Sequence, residues 1–228
     1  MTDRLTLRWP DPLPFVGRVG RPLRLLAVSD EADPSLDSAI TRQRIGPVDL
    51  IVGAGDLEPD YLSFVADAFH APLRYIRGNH DVGAAWSDTR RALLPEPMRD
   101  GRVVEELGLR LVGFSGSPVY NERGMQVSAV GMWSKVIGSW RAARRAVPVL
   151  LVTHAPPRDL NDDDDLPHRG FVAFRWLADR LEPPLWLHGH TALVRRGMDD
   201  RCARHNGTLF YNCTGSTLVE LLPPDADG

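Results

Sequence analysis

Five apolar runs, each closing on a polar residue, set the strongest constraint on how this chain folds. They are PLRLLAVSD (22–30), VDLIVGAGD (48–56), PLRYIRGNHD (72–81), PVLLVTHAPP (148–157) and PLWLHGHTA (184–192). Each reads as four to six strand residues followed by a polar one, and most are rich in Val, Leu and Ile rather than strictly alternating. That pattern belongs to strands covered on both faces. Helical patterns separate several of them. DPSLDSAITRQRIG (33–46) has an acidic, Ser-containing start and a Gly stop, and EPDYLSFVADAFHAP (58–72) sets Tyr61, Leu62, Val65 and Phe69 on one stripe behind Pro59. QVSAVGMWSKVIGSWRAARRA (126–146) and HRGFVAFRWLADRLEPP (168–184) are further helices, the second stopped by Pro183. GRVVEELGLRLVGFSG (101–116) predicts a hairpin about Leu107-Gly108, and GTLFYNCTGSTLVELLPP (207–224) predicts two strands. Strands alternating with helices imply βαβ units and a largely parallel sheet. The expected fold is therefore α/β, with two packed β-sheets forming a sandwich flanked by helices. Residues 23–228 are expected to form a single domain, and residues 1–22 an extension packed on its core.

Composition narrows the function. A net charge of -3 and a pI near 6.2 give no electrostatic case for a nucleic-acid or anionic-membrane partner. No apolar stretch is long enough to span a bilayer, and MTDRLTLRWPDPLPF lacks the apolar region of a signal peptide, so the expected location is cytoplasmic. Cys202 and Cys213 lack metal-type spacing; they could pair as a disulfide, but read better as two thiols. APPRDLNDDDDLPHRG (155–170), with four acids at Asp162 to Asp165, reads as a solvated loop without the alternating ligands of an EF-hand. His70, His168 and His205 read as surface residues, and His188 as a packed strand histidine. The six tryptophans show no stacking pattern, Trp133 and Trp140 being core positions on one helix. Tyr120-Asn121 follows a strand, where it could border a substrate, though a turn is the safer reading, and Arg77 and Arg158 adjoin the strand ends, where they could meet a phosphate.

Ligands of open α/β sheets collect beyond the carboxyl ends of the strands. There this chain puts Asp30, Asp56, Asn79, His80, Asp81, His154 and His190. A mixed oxygen and nitrogen set without thiolate suits manganese, iron or zinc in a hydrolytic site better than a structural zinc. A metal so held acidifies water and clamps a phosphoryl oxygen. His80 stands beside a ligand, where it can protonate a leaving oxygen, with Asp81 expected to support its imidazole.

Taken together, Gly55-Asp56, the GNHD block at Gly78 to Asp81, Thr153-His154 and the GHT block at Gly189 to Thr191 resemble the calcineurin-like metallophosphoesterase superfamily. NCTGS (212–216) resembles the segment that closes that family's core, and the resemblance runs from residue 23 to about residue 216. It implies a double-sheet sandwich with a two-metal centre, in which Asp56 bridges and Asn79, His154 and His190 complete one pocket. Asp30 belongs to the other pocket. Family members complete that pocket with two histidines, at the positions held here by Ala32 and Ala192. Both departures fall in one pocket, which predicts that one metal site is kept and the other lost or rebuilt. Glu31, Asp33 and His188 are the nearby replacements, and a second register pairs His188 with His190 and leaves only Ala32 anomalous. The implied activity is metal-dependent hydrolysis of a phosphomonoester or phosphodiester with one or two divalent ions. A non-catalytic metal- or phosphate-binding regulatory module is the alternative, and different metal-assisted chemistry on the same scaffold a third. Retention of the whole GNHD block, proton donor included, favours catalysis.

Overall fold

The apolar runs become strands because protein covers both of their faces. The computed structural model describes residues 2–87, 94–121, 123–191 and 201–225. In chain order the strands are β1 (Asp3–Arg8), β2 (Leu23–Ser29), β3 (Leu50–Gly53), β4 (Leu73–Tyr75), β5 (Val103–Glu106), β6 (Leu109–Phe114), β7 (Ser117–Pro118), β8 (Gln126–Val127), β9 (Leu150–Thr153), β10 (Leu185–His188), β11 (Cys202–His205), β12 (Thr208–Asn212) and β13 (Gly215–Leu222). The helices are α1 (Ala39–Ile45), α2 (Pro59–Phe69), α3 (Ala84–Ser87), α4 (Ala129–Arg145) and α5 (Val172–Leu181).

Two mixed sheets carry the fold, ordered β1-β13-β2-β3-β4 and β11-β12-β10-β9-β6-β5. Within the first, β2, β3 and β4 run parallel, and within the second so do β6, β9, β10 and β12. Side chains alternate across each strand. Leu23, Leu25 and Ala27 of β2 enter the layer between the sheets, where they meet Leu111, Val152, Leu187 and Tyr211. Leu26 and Val28 of the same strand face outward against Leu62 and Val65 of α2. The other sheet repeats this, with Val112, Leu151 and Trp186 turned toward Val136 of α4 and Phe174 and Leu177 of α5. Three apolar layers thus sit between four structural ones, so a β-strand residue on either face is buried at about 1.5–3 kcal/mol for a full aliphatic side chain.

The Leu107-Gly108 hairpin forms as expected, both residues having positive φ (53° and 76°), the geometry a tight two-residue turn demands. The single helix expected over 33–46 is instead two pieces. A 3₁₀ turn spans Pro34–Asp37, Ser38 is extended, and its side chain caps α1 by accepting the Thr41 amide. The two strands of the 207–224 segment lie in different sheets, the chain crossing at Cys213 and Thr214. β1 pairs in parallel with β13 from Asp3↔Thr217 to Arg8↔Leu222, and Trp9 beyond it is buried. Cys202 and Cys213 are both thiols.

The tryptophans do make a cluster. Trp133 and Trp140 of α4 each meet Trp176 of α5, at 5.7 and 6.1 Å between ring centroids. Sequence periodicity found the α4 pair, but their α5 partner depends on how the two helices dock.

Candidate metal centre and its cleft

The parallel strands of both sheets end at one edge, and there the chain turns sharply. Asp30, Asp56 and His190 each hold a positive φ (59°, 56° and 70°), a left-handed conformation uncommon for a residue with a side chain. Such backbone persists only where the surroundings over-determine it, at a cost of order 1–3 kcal/mol. The adjoining glycines explain the crowding. A Cβ at Gly55 would strike the backbone of Gly78 and Nδ1 of His154, and one at Gly189 would strike the Asp30 carboxylate and the Ser29 hydroxyl. The GD and GH pairs of the sequence are therefore close-approach points between strand ends.

Asp56, Asn79, His154 and His190 converge. His154 Nε2 lies 2.8 Å from Asn79 Oδ1 and 3.2 Å from Asp56 Oδ2. A ligand atom each from Asp56, His154 and His190 falls within 4.8 Å of the others. Donors about 2.0–2.2 Å from a common ion stand about 3 Å apart, so this spacing fits a divalent cation. Backbone carbonyls orient both imidazoles. His154 Nδ1 is 2.9 Å from the Ala54 carbonyl and His190 Nε2 is 2.7 Å from the Pro167 carbonyl. Each carbonyl takes a ring N–H, which assigns the lone pair to Nε2 of His154 and Nδ1 of His190 when a cation is held. The donor set and its orientation fit a divalent metal ion.

Without a cation the same groups neutralise one another. Burial is the largest single influence and opposes the charge on His154, but Asp56, Asp30 and the Ala54 carbonyl together outweigh it and raise its pKa to about 9. Burial likewise opposes ionisation of Asp56, yet His154 and the hydrogen bonds it receives hold its carboxyl below the ordinary range. Burial, and then the charge on His154, push His190 down to about 3, so its imidazole is neutral at pH 7. A protonated His154 thus supplies the positive charge that a metal would otherwise bring.

Asp30 sits apart from this group. Both of its oxygens accept the His190 backbone amide, at 2.9 and 3.0 Å, and Oδ2 accepts the Thr214 hydroxyl at 3.2 Å. Burial raises its pKa against the opposing pull of His154 and of hydrogen bonds from Ser29 and His190. Ala32 is exposed, and Ala192 lies outside the described residues. Asp33 is turned away, since its carboxylate accepts the Ser35 amide at 2.9 Å and the Ser216 hydroxyl. Glu31 lines the cleft, whereas His188 is a buried residue of β10, its Nδ1 3.1 Å from the Gly189 carbonyl.

His80 is exposed at the mouth. Its amide donates to Asp56 Oδ1 at 2.7 Å and its Nε2 is 3.9 Å from Asp56 Oδ2. Asp81, expected to support the His80 imidazole, makes its hydrogen bonds among the described residues with backbone amides. Asp81 is buried, and its Oδ2 accepts the amides of Gly78 (2.7 Å) and Asp56 (2.9 Å). Two converging strand-end turns leave amides that need an acceptor more than the solvated imidazole does. Burial raises the Asp81 pKa to about 6, those amides opposing the rise.

Two further residues belong to the cleft, which has a volume of about 420 Å³. Tyr120 does lie in a bend, but its hydroxyl accepts Asn79 Nδ2 at 3.1 Å. His168, read as a surface histidine, forms part of the wall, with its ring 5.3 Å from that of His190. Tyr120 had a local signal in its place just after a strand, whereas His168, at the end of a 3₁₀ turn, had none. His205 is half-buried, with Nε2 2.6 Å from Asp179. Nor is the four-acid run uniformly solvated: Asp162 is nearly buried against Arg158 at 2.7 Å. Arg77 donates to the Asp81 carbonyl and lies over Trp86, its guanidinium carbon 4.7 Å from the ring centroid.

A double-sheet α/β sandwich with carboxylates and imidazoles gathered at its strand ends is the class that this fold and site define. The chain belongs to the calcineurin-like phosphoesterase family, whose model matches residues 25–193. One solved crystal structure superposes with a TM-score of 0.60 over 87% of this chain and 95% of that one, at 13% identity, a likeness of fold alone. The crystal structure of a single mutant of Vps29 from Entamoeba histolytica aligns at 12% identity and a TM-score of 0.37, over 84% of this chain and 74% of that one. No curated protein matches the chain.

Proposed function

We propose that the protein is a metal-dependent phosphoesterase whose centre holds one tightly bound divalent ion. The observation that carries this reading is the convergence of Asp56 Oδ2, Asn79 Oδ1 and His154 Nε2, with the other nitrogen of His154 fixed on a carbonyl. When bound, the ion would polarise a phosphoryl oxygen and make water a competent nucleophile at neutral pH.

The chain's own residues supply the rest. Asp56, Asn79, His154 and His190 hold the ion, and Tyr120 steadies the Asn79 amide. His80 stands at the mouth with its side chain exposed, and in this reading it gives its proton to the departing oxygen. Asp81 holds the two loops that carry His80 and Asp56 in register. Asp30 serves as the anchor of the His190 turn, its carboxylate engaged by the His190 amide and the Thr214 hydroxyl.

The test combines metal content with turnover on phosphomonoester and phosphodiester panels. One ion per chain and hydrolysis that falls about 10²–10⁴-fold in His80→Ala are expected. A second reading, a metal- or phosphate-binding regulatory module, draws on Ala32 and on the engaged state of Asp30. Stoichiometric metal with no turnover under any divalent ion would establish it instead.

A further inference from the structure

We infer that a groove beside the cleft receives the organic part of the substrate, and that this part is flat and apolar, so that the preferred substrate is an aryl phosphate ester. The inference rests on the phosphoesterase reading above. The groove has a volume of about 430 Å³ and lies between the first turns of α4 and α5. Its apolar lining includes Pro118, Val119, Trp133, Leu166, Phe171 and Val172. Val119, Leu166 and Val172 remain 52%, 56% and 60% exposed, three aliphatic side chains converging on one concavity. Scattered surface aliphatics are ordinary, but a concave apolar surface beside a catalytic centre is the usual form of a ligand site. That volume suits a one- or two-ring group, and the half-buried Trp133 ring favours an aromatic one.

Continuity with the cleft selects the occupant. The same two segments wall both spaces: Tyr120 faces the cleft while Pro118 and Val119 face the groove, and Pro167 and His168 face the cleft while Leu166 and Arg169 face the groove. The two spaces are therefore neighbours, and an ester with its phosphorus at the metal centre would lay its alcohol part over these segments toward the groove. The charges agree. Arg158 is neutralised by Asp162 at 2.7 Å, Asp159 at 3.4 Å and Asp164 at 3.7 Å. Arg169, at the groove's edge beside His168, donates to the Asp164 backbone carbonyl at 3.0 Å.

Reactivity points the same way. A centre with one charge clamp gives little help to a poor leaving group. An aryl oxide, whose conjugate acid has a pKa of about 10 like a tyrosine, leaves more readily than an alkoxide. In the step itself, the oxygen of water bonds to phosphorus as the bond between phosphorus and the aryl oxygen breaks. The electron pair stays on the aryl oxygen, which gains a proton, while the attacking water loses one to solvent. The products are a phenol and hydrogen phosphate.

The experiment compares kcat/KM for 1-naphthyl phosphate and glycerol 3-phosphate in the manganese-loaded full chain and in Val172→Asp and Val172→Leu, alongside calorimetric binding of 1-naphthol. Val172 is exposed and opens α5, where an acid is tolerated, so the Asp variant retains its fold. The expected result is that Val172→Asp lowers the naphthyl-to-glycerol ratio about tenfold through KM, while Val172→Leu preserves it. An unchanged ratio, with no Val172-dependent naphthol binding, overturns the groove and leaves the hydrolase standing. Naphthol binding that Val172→Asp abolishes, without hydrolysis of either ester, upholds the groove and removes the phosphoesterase reading. Conversion of a dimer to a monomer by Val172→Asp, with the ratio unmoved, assigns the groove to a second copy of the chain and overturns the inference.

Discussion

Asp30 and Asp56 are built alike, each a carboxylate on a left-handed residue closing a parallel strand, yet their partners differ. Asp56 faces the imidazole of His154, while Asp30 faces the backbone of His190. Replacing Asp30 with Ala frees the His190 turn and is expected to weaken affinity for the single ion about 10–100-fold, as loss of an orienting contact does. Asp30→Asn keeps an acceptor and should cost less. Metal titration with elemental analysis distinguishes the roles: if Asp30 ligates a second ion, stoichiometry in Asp30→Asn falls from two to one. A second expectation concerns pH in the metal-free protein. The pKa of His154 is raised from 6.5 to about 9, so the stability it contributes is complete below about 6.5 and lost as pH rises through about 9. His190 is depressed from 6.5 to about 3, so its contribution is present above about 6.5 and lost as pH falls through about 3. Thermal melting of metal-free protein should therefore decline on both sides of neutrality. Added manganese should flatten the alkaline limb, since the ion takes the place of the His154 proton.

At the scale of elements, the loops after β3 and β4 are held together by one buried carboxylate. Asp81→Ala leaves the Gly78 and Asp56 amides without their acceptor and should destabilise the fold by about 2–4 kcal/mol in denaturant titrations. Asp81→Asn, which retains an acceptor oxygen, should recover much of that loss. If Asp81 acted instead through His80, Asp81→Asn would change the pH profile of turnover with little change in stability. The helical layer offers a contrast. The spacing of Trp133 and Trp140 made α4 legible, but the Trp176 contact came from the docking of α4 on α5. The 33–46 segment differs in where its helix starts, because Ser38 caps α1 and Pro34–Asp37 before it form a separate 3₁₀ turn.

For the whole molecule, the first strand joins the two ends of the chain. β1 covers β13 with Leu5 and Leu7 packed on the central layer, and Trp9 is buried beyond it. Deleting residues 1–10 uncovers the β13 edge and removes those contacts. The expected outcomes are a lower Tm by calorimetry and concentration-dependent aggregation, since an unpaired strand edge invites pairing with another chain. An unchanged Tm would mean that the segment is dispensable to the core.

The sequence by itself determined the layers and the sheet edge at which these polar residues gather. Uninterrupted apolar runs require cover on both faces, and polar residues after such runs gather at one edge of a parallel sheet. Asp56, Asn79, His154 and His190 were readable for that reason, their motifs being local to strand ends. Only the tertiary structure decided how Asp81 is used, that Tyr120 and His168 wall the cleft, and that Asp30 grips the His190 turn. Those outcomes depend on which backbone amides and loops come together across two sheets, and contacts between residues distant in the chain leave no periodic mark along it. Asp30 and His190 are 160 residues apart in sequence, yet 2.9 Å separates the carboxylate of one from the amide of the other.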